Sequence, residues 1–305
     1  MRVLVAGASG FLGAAAVRAL ASGGHDVVGL ARSPEKAEVV RGAGGAPAQG
    51  DILSIPSLVE AARGCEALVH AAASVTTVSR EVGQSMAAKV RVDGAYNLVA
   101  TAKQVGARRL LVVSGTWLHG DRKETITEAT PATPTGTSMF NWQAERAAMD
   151  GHKPGVLDVV VIRPGMVYGN GGWFREMVEE IRDGRYRVPG DGANHWSPLH
   201  IDDCGEAIRA VVERGRAGEV YLAADDHPVA LRALVDGIAD SLRVAHPMSQ
   251  SLAQAATGLG EATARHLAAN QVVSNAKLKG LGWQPRFPDS GAGVSPILAQ
   301  LAEGR

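Results

Sequence analysis

The stretch RVLVAGASGFLGAAAVRAL, residues 2–20, decides how this chain must fold. Val3, Leu4 and Val5 form an apolar run too short for a helix, while Leu12, Ala16 and Leu20 recur at helical spacing. Between the two lie Gly7, Gly10 and Gly13. A strand that turns on glycines into a helix can approach a pyrophosphate closely, hold it at the helix N-terminus, and pack helix tightly on strand. Taken alone, such a run also describes an ordinary βα turn. Its place between a clear strand and a clear helix favours a dinucleotide site, with Gly7, Ser9, Gly10, Phe11, Leu12 and Gly13 as candidate contacts.

Further along, the same alternation repeats. HDVVGLA, CEALVHAAA, ARRLLVVSG and LDVVVIRPG are short runs rich in Val, Leu and Ile, and helical stretches such as SLVEAARG separate them. Strands that are apolar without alternation are buried on both faces, which requires a parallel sheet covered by helices on each side. The predicted fold class is therefore α/β, a doubly wound parallel (Rossmann) sheet with a smaller C-terminal substrate-binding lobe. We expect residues 1–164 to form the dinucleotide-binding domain, with 199–224 returning to it, and residues 165–198 and 225–305 to form the lobe. WFREMVEEIRDG predicts a helix, GEVYLAA a returning sheet strand, and residues 230–270 Ala-rich helix.

Composition narrows the function. The chain has 305 residues, and its 31 basic residues balance 31 acidic ones, so no charge excess points to nucleic acid or an anionic membrane. Cys65 and Cys204 are far apart and match neither a zinc spacing nor a disulfide framework, so no metal site is expected. Met1 leads straight into an apolar run without a basic leader, and the expectation is a cytoplasmic enzyme with a small-molecule partner. A homodimer is left open.

The end of the second strand selects the dinucleotide. It reads Leu30, Ala31, Arg32, Ser33, with Lys36 one turn later. An NAD site usually carries an acidic residue there to hold the ribose 2′-hydroxyl. Here the strand end has none, and Arg32 can grip a 2′-phosphate as a planar fork while Ser33 caps the following helix. The expected cofactor is NADP, bound in part by Arg32, Ser33 and Lys36.

GASGFLG, the pair Gly50–Asp51, VHAAA at 69–73, VDGAYNL at 92–98, RPGMVYG at 163–169 and LHIDDCGEAI at 199–208, with KLKGLGWQP near the C-terminus, together resemble the extended short-chain dehydrogenases of the NAD-dependent epimerase/dehydratase superfamily. The order of these motifs covers nearly the whole chain. The resemblance implies that Asp51 and Ile52 flank the adenine, that Ala71, Ala72 and Ala73 line the dinucleotide, and that Pro164 and Val167 lie by the nicotinamide. For LHIDDCGEAI a structural role is as good an expectation as a functional one.

At one point the pattern breaks. The family's Tyr-x-x-x-Lys, followed four residues later by Glu, anchors here on Glu145 in TSMFNWQAE, which places Thr137 at the Tyr and Asn141 at the Lys. The family's Ser or Thr on the fifth-strand loop falls on Gly115, and the neighbours Ser114 and Thr116 can take its part. Ser114 is also a candidate cofactor contact. Thr116, Thr137 and Asn141 are the candidate catalytic residues, able to donate or accept hydrogen bonds but not to titrate. General acid catalysis is worth roughly 10²- to 10⁴-fold, and positioning can be worth more, so the loss of Tyr does not exclude an enzyme. Among other donors, His119 is expected to be a solvated loop histidine, Tyr168 to pack beneath its loop, and His195 to sit on an irregular segment.

Aromatic residues make up only 4% of the chain, yet Trp117, Phe140, Trp173, Phe174 and Trp196, with Met139 and Met166, fall on loops and helix starts that the resemblance places around the substrate cleft. Trp117, Met139, Phe140, Met166, Trp173 and Trp196 are the candidate substrate contacts. Their concentration favours a flat apolar ligand over a sugar nucleotide. The expected activity is that of an atypical NADPH-dependent ketoreductase, a tailoring enzyme of secondary metabolism (polyketide or other antibiotic biosynthesis), acting on a polycyclic aromatic ketone with substrate-assisted proton transfer. In lacking Tyr and Lys it resembles the ketoreductases that tailor angucycline polyketides. A sugar-nucleotide epimerase or dehydratase and a non-catalytic NADP-binding redox sensor are the alternatives.

Overall fold

The computed structural model of the chain describes residues 1–73 and 86–303. Its centre is a seven-stranded parallel sheet. Six strands come from the first half: β1 (Arg2–Ala6), β2 (Asp26–Ala31), β3 (Ala46–Gln49), β4 (Ala67–His70), β5 (Arg109–Val113) and β6 (Asp158–Pro164). Short strands β7 (Met166–Tyr168), β8 (Val188–Pro189), β9 (His195–Trp196) and β10 (Pro198–His200) follow, and β11 (Val220–Ala223) returns to the sheet. The order is β11-β6-β5-β4-β1-β2-β3. The chain thus reverses direction across the sheet between β1 and β4, which opens a crevice at their C-terminal ends, where ligands bind in such folds. β3 is the one sheet strand that hydrophobic runs did not announce: APAQ carries Pro47, which only an edge strand tolerates.

Helices cover both faces. On one side α1 (Phe11–Ser22) and α2 (Pro34–Gly42) pack; on the other lie α3 (Ile55–Ala61), α4 (Gly94–Val105) and α5 (Ser138–Met149). After α6 (Gly172–Arg182), helix α7 (Ile201–Arg214) returns to pack on α1. A Cβ on Gly205 would stand 2.6 Å from the carbonyl oxygen of Ala15, so glycine sets how closely α1 and α7 approach. LHIDDCGEAI is therefore a packing device here. Its Asp203 accepts the backbone N–H groups of Arg286 and Phe287, both at 2.9 Å, and its carbonyl accepts the indole N–H of Trp283. The GWQP segment is tied down by the LHIDD segment.

A third core joins Tyr168, Phe174, Met177, Ile181 and Trp196 to α8 (Leu231–Leu242) and to the C-terminal helix. Where the sequence predicts continuous Ala-rich helix over 230–270, the chain is broken. The extended pairs β12 (Val229–Ala230) and β13 (Ser249–Gln250) flank α8, and α9 (Leu252–Leu259) and α10 (Glu261–Leu267) are separated by Gly260 at φ +88°. Pro247 and the left-handed Arg243 stop α8, and both breaks are local backbone effects. Two shorter elements end the chain, α11 (Ala276–Lys279) and α12 (Ser290–Glu303). Among the described residues no helix is long and apolar enough to cross a membrane.

Candidate functional site

The β1–α1 turn sits at the crevice. Gly7 has φ +88°, and a Cβ there would lie 2.6 Å from the backbone of Ala72, while a Cβ on Gly13 would meet the Gly7 carbonyl at 2.0 Å. Gly7 and Gly13 are thus fixed by the approach of the β4 end and by the turn folding onto its own helix. Helix α1 begins at Gly10 with no side-chain cap and no acidic residue in its first turn. Those N–H groups are left for an anion. The ring of Phe11 lies under Gly169, Gly171 and Gly172, close enough that a Cβ at Gly169 or Gly171 would crowd it at 3.0 and 3.1 Å, so Phe11 supports the loop that opens α6. Leu12 packs partly buried against the core, and Ser9 stays accessible on the turn.

At the end of β2, Arg32 and Lys36 are exposed, and the Ser33 hydroxyl caps α2 by accepting the Lys36 N–H at 3.4 Å. The structure adds a group that the strand-end reading leaves out. Glu35 stands in the first turn of α2, its carboxyl held below the usual range by the Ser33 hydroxyl. Asp51 receives the Leu53 N–H at 2.9 Å, and Ile52 is buried beneath Gly94, with its carbonyl held by Asn97. Ala71 and Ala72 are half-buried at the crevice and Ala73 is exposed. Pro164 and Val167 are buried on the far side of β5, in β6 and β7.

The polar wall is built on β5 and α5. Ser114 leaves β5 with its N–H on the Ile162 carbonyl at 2.8 Å, and its hydroxyl is buried without a partner among the described residues. Thr116 is buried two residues on. Across from them Asn141 is buried one turn before Glu145, and Thr137 is exposed at the start of α5. Glu145 holds this turn in place: its two oxygens take Arg163 Nε at 3.0 Å and Nη2 at 2.6 Å, with both side chains buried. The partnership between Arg163 of RPG and Glu145 has no mark in the sequence.

His119 is not a solvated loop histidine. It is fully buried, 3.2 Å from Arg163 Nη1, and burial, with Arg163 adding to it, pushes its pKa down to about 4. It is neutral and serves as a neighbour of the Arg163–Glu145 pair. Tyr168 is buried at the third core, as expected of a packing residue. His195 lies exposed on β9.

Of the candidate substrate contacts, Trp117 and Met139 are the most open, at 38% and 37% exposure. Phe140 and Met166 are half-buried. Trp173 is half-buried too, its indole N–H donated to the Val167 carbonyl at 2.7 Å and its ring edge-on to Phe174 and Trp196. Trp196 is only 2% exposed and donates to the Leu267 carbonyl. It backs the wall from the core and does not line it, because its strand β9 is pinned between β12 and the segment after α10.

Beside this core lies a strained acid. Asp225 accepts the His200 N–H at 3.2 Å, but its Oδ2 and the Tyr168 hydroxyl next to it are buried without a well-formed hydrogen bond. Burial, reinforced by Asp203, lifts the Asp225 carboxyl from 3.8 to about 8. The unfolded chain therefore releases this proton near pH 4 and the folded chain near pH 8. Stability from this site is present below about pH 4 and lost as pH rises towards 8. Asp225→Asn keeps the acceptor for His200 and carries the missing donor permanently. Its expected gain is ~1–3 kcal/mol at pH 8, vanishing near pH 4, in denaturant melts at both pH values. An equal effect at the two pH values would show that Asp225 does not hold the proton.

Comparison with known proteins gives the family and the fold. The model of the NAD dependent epimerase/dehydratase family matches residues 3–224. A 4-hydroxy-2-methyl-3-oxo-4-farnesyl-3,4-dihydroquinoline-1-oxide ketoreductase of Stigmatella aurantiaca is 29% identical, over 88% of this chain and 82% of its own. A 3-diazoavenalumate denitrifying reductase of a Streptomyces species is 30% identical, over 94% and 97%. Among solved structures, dTDP-glucose 4,6-dehydratase of Streptomyces venezuelae with NAD bound superposes at a TM-score of 0.85, 25% identical, covering 100% of this chain and 98% of that one. A human epimerase family protein with NADPH superposes at 0.82, 22% identical, over 97% and 99%.

Proposed function

The chain belongs to the NAD dependent epimerase/dehydratase family, and we propose that within it this protein is an NADPH-dependent ketoreductase of flat, apolar ketones. The observation that carries the proposal is the composition of the wall facing the crevice: Ser114, Thr116, Thr137 and Asn141 offer hydrogen bonds and no titrating group, beside the open rings of Trp117 and its neighbours. Several of its relatives are reductases, a ketoreductase and a 2-alkyl-3-oxoalkanoate reductase among them, which supports a reductive activity.

The residues present fit a nicotinamide dinucleotide. The glycine turn and the uncapped start of α1 suit a pyrophosphate, and the unpartnered Ser114 hydroxyl awaits a polar group. When bound, the reduced cofactor supplies hydride to a carbonyl carbon. The chain's own part is to orient the ketone: Thr116 and Asn141 hydrogen-bond its oxygen, Thr137 closes the rim, and Trp117 covers the ring face. The proton comes from the substrate. A phenol next to the ketone already hydrogen-bonds the carbonyl oxygen, passes its proton as the alkoxide forms, and recovers one from water. The direct test is consumption of NADPH with 8-hydroxy-1-tetralone and with dTDP- and UDP-sugars. Turnover of a sugar nucleotide with none of the ketone would overturn the proposal in favour of an epimerase or dehydratase, and turnover of neither would favour a redox sensor.

Selection of NADPH is assigned to Arg32 and Lys36, which have no partner in the ion pairs of the described residues, against the opposing charge of Glu35. Arg32→Ala is expected to weaken NADPH about tenfold or more, the ~1.5–3 kcal/mol of a charge-assisted hydrogen bond, and to leave NADH unchanged. Equal dissociation constants for the two cofactors in the unaltered protein would remove the assignment.

A further inference from the structure

We propose that His266 is a substrate-positioning residue, which binds an oxygen of the flat substrate through its imidazole Nε2. This rests on the reading of the protein as a reductase of flat ketones. Helix α10 belongs to the broken 230–270 segment and is remote in sequence from the β5 loop and α5, yet it closes over the polar wall at two points. Ala262 comes so near Gly136 that a Cβ there would lie 2.7 Å from the methyl of Ala262, just before Thr137 and the start of α5. His266 lays its ring on the indole of Trp117, centroids 4.7 Å apart and planes tilted by 48°.

Trp117 in turn folds back over the β5 loop, its Nε1 2.0 Å from where a Cβ of Gly115 would be. The three groups form a column: the Ser114–Thr116 backbone, the Trp117 indole, the His266 imidazole. Gly115 thus acquires a reason. The position where the family carries a hydroxyl is glycine because an indole occupies the space of the side chain.

The imidazole differs from an ordinary filler ring. Its Nε2 is buried and meets no hydrogen-bond partner among the described residues. Burial pushes its pKa down, to about 4, and among the described residues it takes part in no ion pair. A neutral imidazole held this way can give or take one hydrogen bond, and a ligand oxygen is the partner it lacks. Trp117, on which the imidazole packs, remains 38% exposed and offers a flat ring an open indole surface next to it. An aromatic face with one hydrogen-bonding edge selects oxygenated rings over plain ones.

The test uses the full chain loaded with oxidised NADP, which cannot turn a ketone over, titrated calorimetrically with 8-hydroxy-1-tetralone. His266→Phe keeps a ring on Trp117 and removes both nitrogens; His266→Gln keeps a hydrogen-bonding group. We expect the Phe variant to bind the ketone about tenfold more weakly and the Gln variant to stay within about threefold of the unaltered chain, with NADP affinity unchanged in both. In turnover the Phe variant should raise KM with kcat within about threefold, the signature of lost positioning. Undiminished ketone binding by His266→Phe, or by His266→Leu should the Phe variant not fold, would overturn the proposal while leaving the ketoreductase reading intact. Binding that depends on His266 without any reduction by NADPH would support the contact and sink the ketoreductase reading. Absence of ketone binding to the unaltered chain would sink both.

Discussion

Methylating the phenol beside the ketone is expected to slow reduction by more than ~10²-fold, whereas Thr116→Val, Thr137→Val and Asn141→Ala should each lose less than that, the low end for removal of a general acid. The asymmetry follows from where titrating groups stand. By the family resemblance Thr137 stands where a tyrosine is expected and Asn141 where a lysine is, one turn along the same helix. His119 is buried against Arg163 and held neutral, and the Tyr168 hydroxyl faces Asp225 in another core, its pKa pushed up chiefly by burial. None of them can hand a proton to the crevice. The comparison of 8-hydroxy- with 8-methoxy-1-tetralone under single-turnover conditions isolates the transfer step. A single variant that abolishes turnover with cofactor binding intact would name a protein donor and end the substrate-assisted mechanism.

Glu145→Ala is expected to cost ~3–5 kcal/mol, because it leaves the Arg163 guanidinium buried and uncompensated. For a chain of this size that corresponds to a fall in Tm of roughly 5–15 °C. Replacing both partners, Glu145→Leu with Arg163→Met, should recover most of the loss, since a buried pair often adds little over apolar residues of similar volume. Asn141 lies one turn from Glu145, so the single variant should also weaken ketone binding more than NADPH binding. A melting curve within 1 °C of the unaltered protein, on the order of a few tenths of a kcal/mol, would show that the pair is solvated in solution.

Much of the fold and part of the candidate site's geometry are legible in the sequence. Helix starts and glycine turns are short-range features, which is why GASGFLG located the crevice and why Ser33 was placed as a cap. Glu35 was missed though it lies only two residues past Ser33, because the strand-end rule looks for a carboxylate on the strand and not in the next helical turn. The family resemblance puts Trp196 at the cleft, but β12 and the end of α10 bury it.

Residue type and local spacing alone set the strand-and-helix alternation, the glycine turn and the lack of titrating side chains at Thr137 and Asn141. Tertiary structure decided which way the buried polar groups face. Arg163 reaches Glu145 across 18 residues, His266 reaches Trp117 from another helix, and Asp225 meets Tyr168 and Asp203 at the junction of β11 with the third core. Partners of that kind are chosen by desolvation. A polar side chain removed from water must find whatever group the fold brings to it, and that group has no fixed distance along the chain.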